Sequence, residues 1–201
     1  MKNLKVMSSM AVLAALVAGC ASYDASPLSS LSGDAIMQKA SSNNEVVAVA
    51  KAFDKSDCKR YLDRDVIREG YQPVQLYIEN PSEKNYVFAL SRVGLPLARS
   101  EEVAERVHTS TVGRAVGYGV GGLFLWPLLI PAVVDGIKSS DANQQLDRDF
   151  MAKTAKDQVL TARSHMNTIV FVPREAYQSK FSITLIEEGS LQPKVIEVQA
   201  N

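Results

Sequence analysis

Pro73-Val74-Gln75-Leu76-Tyr77-Ile78-Glu79-Asn80 alternates apolar and polar positions, and this two-residue period is the clearest structural signal in the chain. Val74, Leu76 and Ile78 fall on one face, and Gln75, Tyr77 and Glu79 on the other, as in a strand with one side against a core. Pro81, Ser82 and Asn85 supply turn chemistry directly after it. Tyr86, Phe88 and Leu90 then alternate again, so the two runs are expected to pair as a hairpin. Gly94 and Pro96 interrupt residues 93–97, which read as an edge strand.

The same idiom returns near the C-terminus. Thr168-Ile169-Val170-Phe171-Val172-Pro173 is a β-branched run stopped by proline, and Phe181-Ser182-Ile183-Thr184-Leu185 alternates cleanly. Residues 189–193 form a turn and 194–198 a last strand. Six or seven short strands with one-sided alternation point to a small β-sandwich. The arrangement resembles an immunoglobulin-like fold in pattern, although the Cys…Trp…Cys hallmark of antibody domains is missing. The expected class is α+β: a small Ig-like antiparallel β-sandwich with an inserted helical hairpin. Residues 34–99 should hold an N-terminal helix and the first strands, and 161–201 the last strands. In that first helix Asp34 is the expected cap, and Val46, Val47, Val49, Ala50 and Phe53 form its apolar face.

The insertion spans residues 100–160. Ser100 is the expected N-cap, with Glu101 and Glu102 in the first turn, where the helix dipole favours negative charge. Val103 and Val107 share a face. Pro131 suits a helical first turn, and Val133, Val134, Ile137, Leu146 and Phe150 mark the apolar contacts of a second, highly charged helix. Between Arg114 and Asp135 stand twenty consecutive uncharged residues. As one straight helix they would reach about 30 Å, the hydrocarbon thickness of a bilayer. Gly113, Gly117 and Gly121 recur every four residues, a GxxxGxxxG stripe that lets a second backbone approach closely. Three readings of this segment stay open. It can span a membrane, although Gly119, Gly122, Pro127 and Pro131 interrupt a straight helix. It can form a broken hairpin tip that dips into a leaflet or docks in a partner, with Trp126 at the interface. It can also pack on its own sandwich.

The N-terminus carries an address. Lys2 and Lys5 precede an apolar stretch over residues 6–17 that is too short to span stably. It ends in Val17-Ala18-Gly19-Cys20, which resembles the lipobox of bacterial lipoproteins. The resemblance implies a signal peptide over 1–19, removed before Cys20, and a diacylglycerol and N-acyl (palmitate-type) modification of that cysteine. Asp after the lipidated cysteine commonly retains Gram-negative lipoproteins at the inner membrane; with Ala21 in that place, the resemblance implies the outer membrane, facing the periplasm. More than one acyl chain would hold the protein firmly. Residues 20–33, rich in serine, read as the lipidated cysteine and a flexible tether. Without Lys2 and Lys5 the chain has 20 basic and 22 acidic residues, a net charge of −2 with no cationic cluster, so nucleic acid is not an expected partner. With Cys20 lipidated, Cys58 has no intrachain partner and reads as a buried free thiol, an intermolecular disulfide being the alternative.

The residues offer little catalytic chemistry. His108 and His165 are the only histidines, without zinc-ligand spacing, and neither a metal nor another cofactor is expected. Ser56-Asp57-Cys58-Lys59 matches the SxxK of penicillin-recognising enzymes, but the SDN and KTG elements are absent. The acidic residues of the second helix alternate with basic ones, as on a solvated face. The expected function is therefore a non-enzymatic envelope interaction or assembly module. Its contacts would be membrane lipid through Cys20, and an envelope protein or a second copy through 112–136, with Gly113, Gly117, Gly121 and Trp126 as contact residues. The alternative is a membrane-active or oligomer-forming protein whose hairpins insert in the bilayer. An envelope hydrolase using Ser56 and Lys59 is the third.

Overall fold

The computed structural model describes residues 22–31, 46–108 and 129–200, with side chains throughout except at 129–139. The chain divides into two units, one of Met1–Tyr23 and His108–Leu146, the other of Asp24–Val107 and Asp147–Asn201. Of the first, the described part is chiefly backbone of the long helix that begins at Leu129. The second holds every described strand.

Among the described residues there are seven strands in two antiparallel sheets, together with three helices, an α+β arrangement. In chain order the elements are β1 (Val47–Ala52), α1 (Lys55–Leu62), β2 (Tyr71–Asn80), β3 (Tyr86–Phe88), α2 (Ser100–Val107), α3 (Leu129–Lys153), β4 (Gln158–Leu160), β5 (Ser164–Pro173), β6 (Lys180–Glu187) and β7 (Pro193–Gln199). One sheet has the order β1-β2-β5, the other β4-β3-β6-β7. Their inner faces share one core, in which Val74, Leu76 and Ile78 of β2 and Val170 and Val172 of β5 meet Phe88, Ile183 and Leu185 from the second sheet. A parallel bridge between Ala50 and Ala200 joins the edge of β1 to the chain end beyond β7.

Several local expectations are corrected. Residues 46–53 are not the apolar face of a helix; β1 runs through them. Val46, Ala48 and Ala50 enter the main core, while Val47 and Val49 pack with Tyr77 on the other side of the sheet. With both faces apolar there is no alternation to see, and valine's branched side chain prefers the extended backbone. Residues 34–45, with the expected cap Asp34, lie outside the described residues, and a helix follows β1 as α1. Asp54 caps it in a reciprocal box, Asp57 N–H donating to Asp54 Oδ1 at 2.7 Å and Asp54 N–H to Asp57 Oδ2 at 3.3 Å. Its end is the left-handed Asp63, at φ 48°.

The second correction concerns β2 and β3, which do not pair. β2 lies between β1 and β5, and β3 between β4 and β6, so the connection at 81–85 crosses from one sheet to the other. Asn80 organises that crossing while fully buried. Its Nδ2 donates to Lys84 O at 2.7 Å and Thr161 O at 2.8 Å, and its Oδ1 accepts from the Ser82 hydroxyl at 2.6 Å. These bonds satisfy loop carbonyls that hairpin pairing would otherwise occupy.

Thirdly, residues 93–97 make no edge strand. A 3-10 turn at Leu90–Arg92 precedes them, and only single bridges form, Val93 to Ile183 and Ala98 to Phe171. In α2 the Val103 N–H closes on Arg99 O at 3.1 Å, so the cap position is Arg99, one residue before the expected Ser100.

Finally, the outer face of β2 is covered as well: Gln75 is fully buried and Tyr77 nearly so. Part of what lies over it is the stretch read from composition as a flexible tether. Gln75 Nε2 donates to Ser29 O at 2.6 Å, Asn167 Nδ2 reaches the same carbonyl at 3.2 Å, and Leu31 packs against Val47, Val49 and Tyr77. Lys153, with a side chain only 10% exposed, donates to Ser26 O at 2.9 Å, Tyr61 O at 2.7 Å and Asp149 Oδ2 at 2.6 Å.

α2 and α3 do fall between β3 and β4 in sequence, as an insertion into the strand order. Val103, Ala104 and Val107 are buried on one face of α2, and Phe150 of α3 stacks on Phe171 of β5 at 5.5 Å between centroids. The turn that would complete a hairpin, at 109–128, lies outside the described residues.

Candidate functional site

The segment that fails to become a strand builds one wall of a cleft in the second unit. Leaving the 3-10 turn, the chain presses Gly94 against β6, its N–H donating to Ser182 O at 2.8 Å. A Cβ there would stand 3.1 Å from Ser182 O and Oγ, so the close approach favours glycine. The chain then crosses to the other sheet, where Ala98 N–H donates to Phe171 O at 2.8 Å. From the opposite side the residues after α3 approach the same strand, Ala155 N–H donating to Ile169 O at 2.9 Å. These two anchors straddle Val170 and cap the open edge of β5.

Between them lies a cleft of about 520 Å³, within the size range of small-molecule sites. Its floor is apolar: Val93, Leu95, Ala155, Val170 and Phe171 are buried, and Leu97 is partly so. Its rim is charged. Arg99 and Glu101 approach to 3.7 Å, and Lys156 is exposed beside them. Glu101's carboxyl is held below its ordinary value, first by a hydrogen bond to its own backbone N–H and then by the Arg99 charge. A bond from Leu90 N–H to Asp157 Oδ1, at 2.7 Å, closes one end. Hydroxyls of Ser91, Ser100 and Thr154 complete the lining, which contains neither a histidine nor a cysteine; Thr154 Oγ1 donates to Phe150 O at 2.6 Å. The arrangement can hold an apolar group and orient a charged one. The one hydroxyl beside a carboxylate is that of Ser100, hydrogen-bonded to Glu101, whose lowered pKa makes it a weak base.

Cys20, Gly113, Gly117, Gly121 and Trp126 lie outside the described residues. Cys58 is a free, fully buried thiol on α1. Burial pushes its pKa from an ordinary 9.0 up to about 12, with Asp65, Asp57 and Asp54 adding in the same direction. Ser56 and Lys59 of the SxxK match sit on α1 facing solvent, and the Lys59 ammonium pairs with Asp63. His165 stacks on Tyr77 at 5.4 Å between centroids. Among the described residues no group of three or more His, Cys, Asp or Glu could hold a metal, and no helix is long and apolar enough to cross a membrane.

Sequence reasoning missed the cleft. The usable signal was Gly94-Leu95-Pro96, a break inside an apolar run, but its other walls come from 154–156 and 170–171, far along the chain. Searches of protein-family models, curated proteins and solved structures return no match to this chain.

Proposed function

We propose that this protein is an envelope lipoprotein, held by lipid on Cys20 at the outer membrane facing the periplasm, whose β-sandwich is a non-catalytic interaction module of immunoglobulin-like type. The lipobox resemblance at 17–20 supports the anchor. The strand order supports the fold type: lettered along the chain, β1, β2 and β5 take the places of A, B and E, and β3, β6 and β7 those of C, F and G, with β4 attached on the C side.

The observation that carries the binding role is the cleft, with its buried apolar floor and its rim of Arg99, Lys156 and Glu101. An apolar moiety with an anionic group matches it, since two cations face one carboxylate there. The contact function expected of 112–136 rests on its uncharged run and glycine stripe. That same run is what supports the second reading, in which copies assemble through their hairpins in the bilayer.

A photo-crosslinker placed at Ser91 on the cleft, and separately at Trp126, tests the proposal in the membrane-anchored protein. The expected result from position 91 is one discrete adduct that disappears when Leu97→Trp fills the cleft. An adduct unaffected by Leu97→Trp, and equally strong from Ser190, would remove the cleft from the function. Cys20→Ser should abolish acyl labelling; retained label would refute the anchor.

A further inference from the structure

The anchored end of this domain has little freedom. Asp24 N–H donates to Asp63 Oδ2 at 3.1 Å, and Ser26 N–H to Arg60 O at 2.8 Å, both at the C-terminal end of α1. Lys153 holds Ser26 O from the other side. The chain is therefore fixed to the sandwich over residues 24–31. Three residues stand between Cys20 and Asp24, and the four residue steps reach at most about 14 Å when fully extended. The turns at 81–85 and 188–192 lie at the other end of the sandwich, beyond the ten residues of β2, roughly 30 Å away.

The α1 end also has a distinctive distribution of charge. Two of its carboxylates turn inward, Asp57 and Asp63 being buried, while Asp54, engaged in the helix cap, is exposed. Its cations turn outward: Lys55 and Arg60 are exposed, Lys59 is 76% exposed and Arg68 77%. Asp24, Asp65, Glu69 and Asp149 are further acids there, Glu69 paired with Arg68 and Asp149 with Lys153, and Lys51 and Arg64 further cations, paired with Asp57 and Asp63. The net charge is near zero, but among the exposed side chains Lys55, Lys59, Arg60 and Arg68 outnumber Asp24 and Asp54.

We propose that the α1 end of the sandwich lies against the bilayer surface, with Lys55, Lys59, Arg60 and Arg68 among the lipid phosphates and the turns at 81–85 and 188–192 directed away. This rests on the reading of Cys20 as the lipid anchor. The tether length brings that end within reach of the headgroups, and the outward cations match phosphate. The remaining surface is left for partners approaching from the far side.

Full-length lipidated protein is reconstituted in phosphatidylcholine:phosphatidylglycerol 7:3 vesicles carrying a headgroup spin label. In a Cys58→Ala background, a bimane is attached at Ser56→Cys or at Ser190→Cys. Quenching at position 56 should exceed that at 190 at least threefold. Twelve Gly/Ser residues inserted between Ser22 and Tyr23 should shrink the difference to less than half. Equal quenching in protein that floats with the vesicles overturns the orientation and leaves the anchor intact. Protein that does not float overturns the anchor, and this inference with it. A difference that survives the insertion shows that the short tether is not its cause, which also overturns the argument.

Discussion

Lys153→Met is the most informative single perturbation of this fold. Methionine keeps the unbranched apolar stem, one atom shorter, and removes three donors: those to Ser26 O at 2.9 Å, Tyr61 O at 2.7 Å and Asp149 Oδ2 at 2.6 Å. A hydrogen bond to a charged group contributes about 1.5–3 kcal/mol, and an acceptor left unsatisfied in a buried place costs about 1–3 kcal/mol. Asp149 is 26% exposed and can regain water, which discounts its share. The expected loss is about 3 kcal/mol. For a domain of this size that lowers Tm by roughly 6–12 °C, at about 2–4 °C per kcal/mol. Calorimetry measures the total, and limited proteolysis within 22–31 locates it, because the Ser26 clasp is released. Lys156→Met, which removes an exposed cation without an ion pair among the described residues, is the control. A fall of less than about 2 °C, or one equal to the control, would refute the assignment of Lys153 as the clasp.

Three further outcomes follow from geometry already given. Cys58 has its folded pKa raised, so its contribution to stability is fully present below about pH 9 and is lost as pH rises towards 12, by about 1.4 kcal/mol per pH unit. Denaturation from pH 8 to 11 should show that slope in excess over Cys58→Ala, which itself costs about 1 kcal/mol at pH 7; parallel curves would refute it. Gly94→Ala should cost about 1–3 kcal/mol in urea denaturation, because its new methyl meets the backbone of Ser182; an unchanged midpoint would mean that the cleft wall yields freely. Asn80→Ala should cost about 3 kcal/mol and Asn80→Asp more, since a carboxylate cannot donate to Lys84 O and Thr161 O and would be buried; an Asp variant as stable as wild type would contradict the network.

What the sequence made legible depended on contrast between the faces of each element. β2 was visible because Gln75 and Glu79 interrupt its apolar positions, even though Gln75 proves to be buried; β6 was visible through Ser182 and Thr184. β1 was not, because Val47 and Val49 are as apolar as Val46, Ala48 and Ala50, and the run fits helical spacing equally well. β4 is three residues long and has no period to read. The β2–β3 pairing failed for a different reason. Turn residues at 81–85 say where the chain reverses, but which strands then meet is settled by Asn80 bonding to Thr161, eighty residues away. The cleft shares that non-locality, and a glycine between a valine and a leucine gives no hint of the Ser182 backbone it lies against. Covering of the outer face by Ser29 and Leu31 was likewise hidden in a serine-rich stretch whose composition suggests solvent.

The insertion between β3 and β4 has a consequence for how the fold can change over evolutionary time. Val87 pairs with Val159, and Phe88 with Gln158, across an intervening chain of residues 89–157. For a flexible loop, closure entropy grows only with the logarithm of length, about 0.6 kcal/mol for each doubling. Replacing a short hairpin turn with an excursion of this size thus costs the pair roughly 2 kcal/mol, and doubling it again would hardly register. Helix within the excursion shortens its effective contour further. Sequence drift in this lineage therefore meets a sharp asymmetry. One residue added inside β3 flips every side chain to the wrong face, whereas a dozen added near residue 120 leave the Val87–Val159 register as it was.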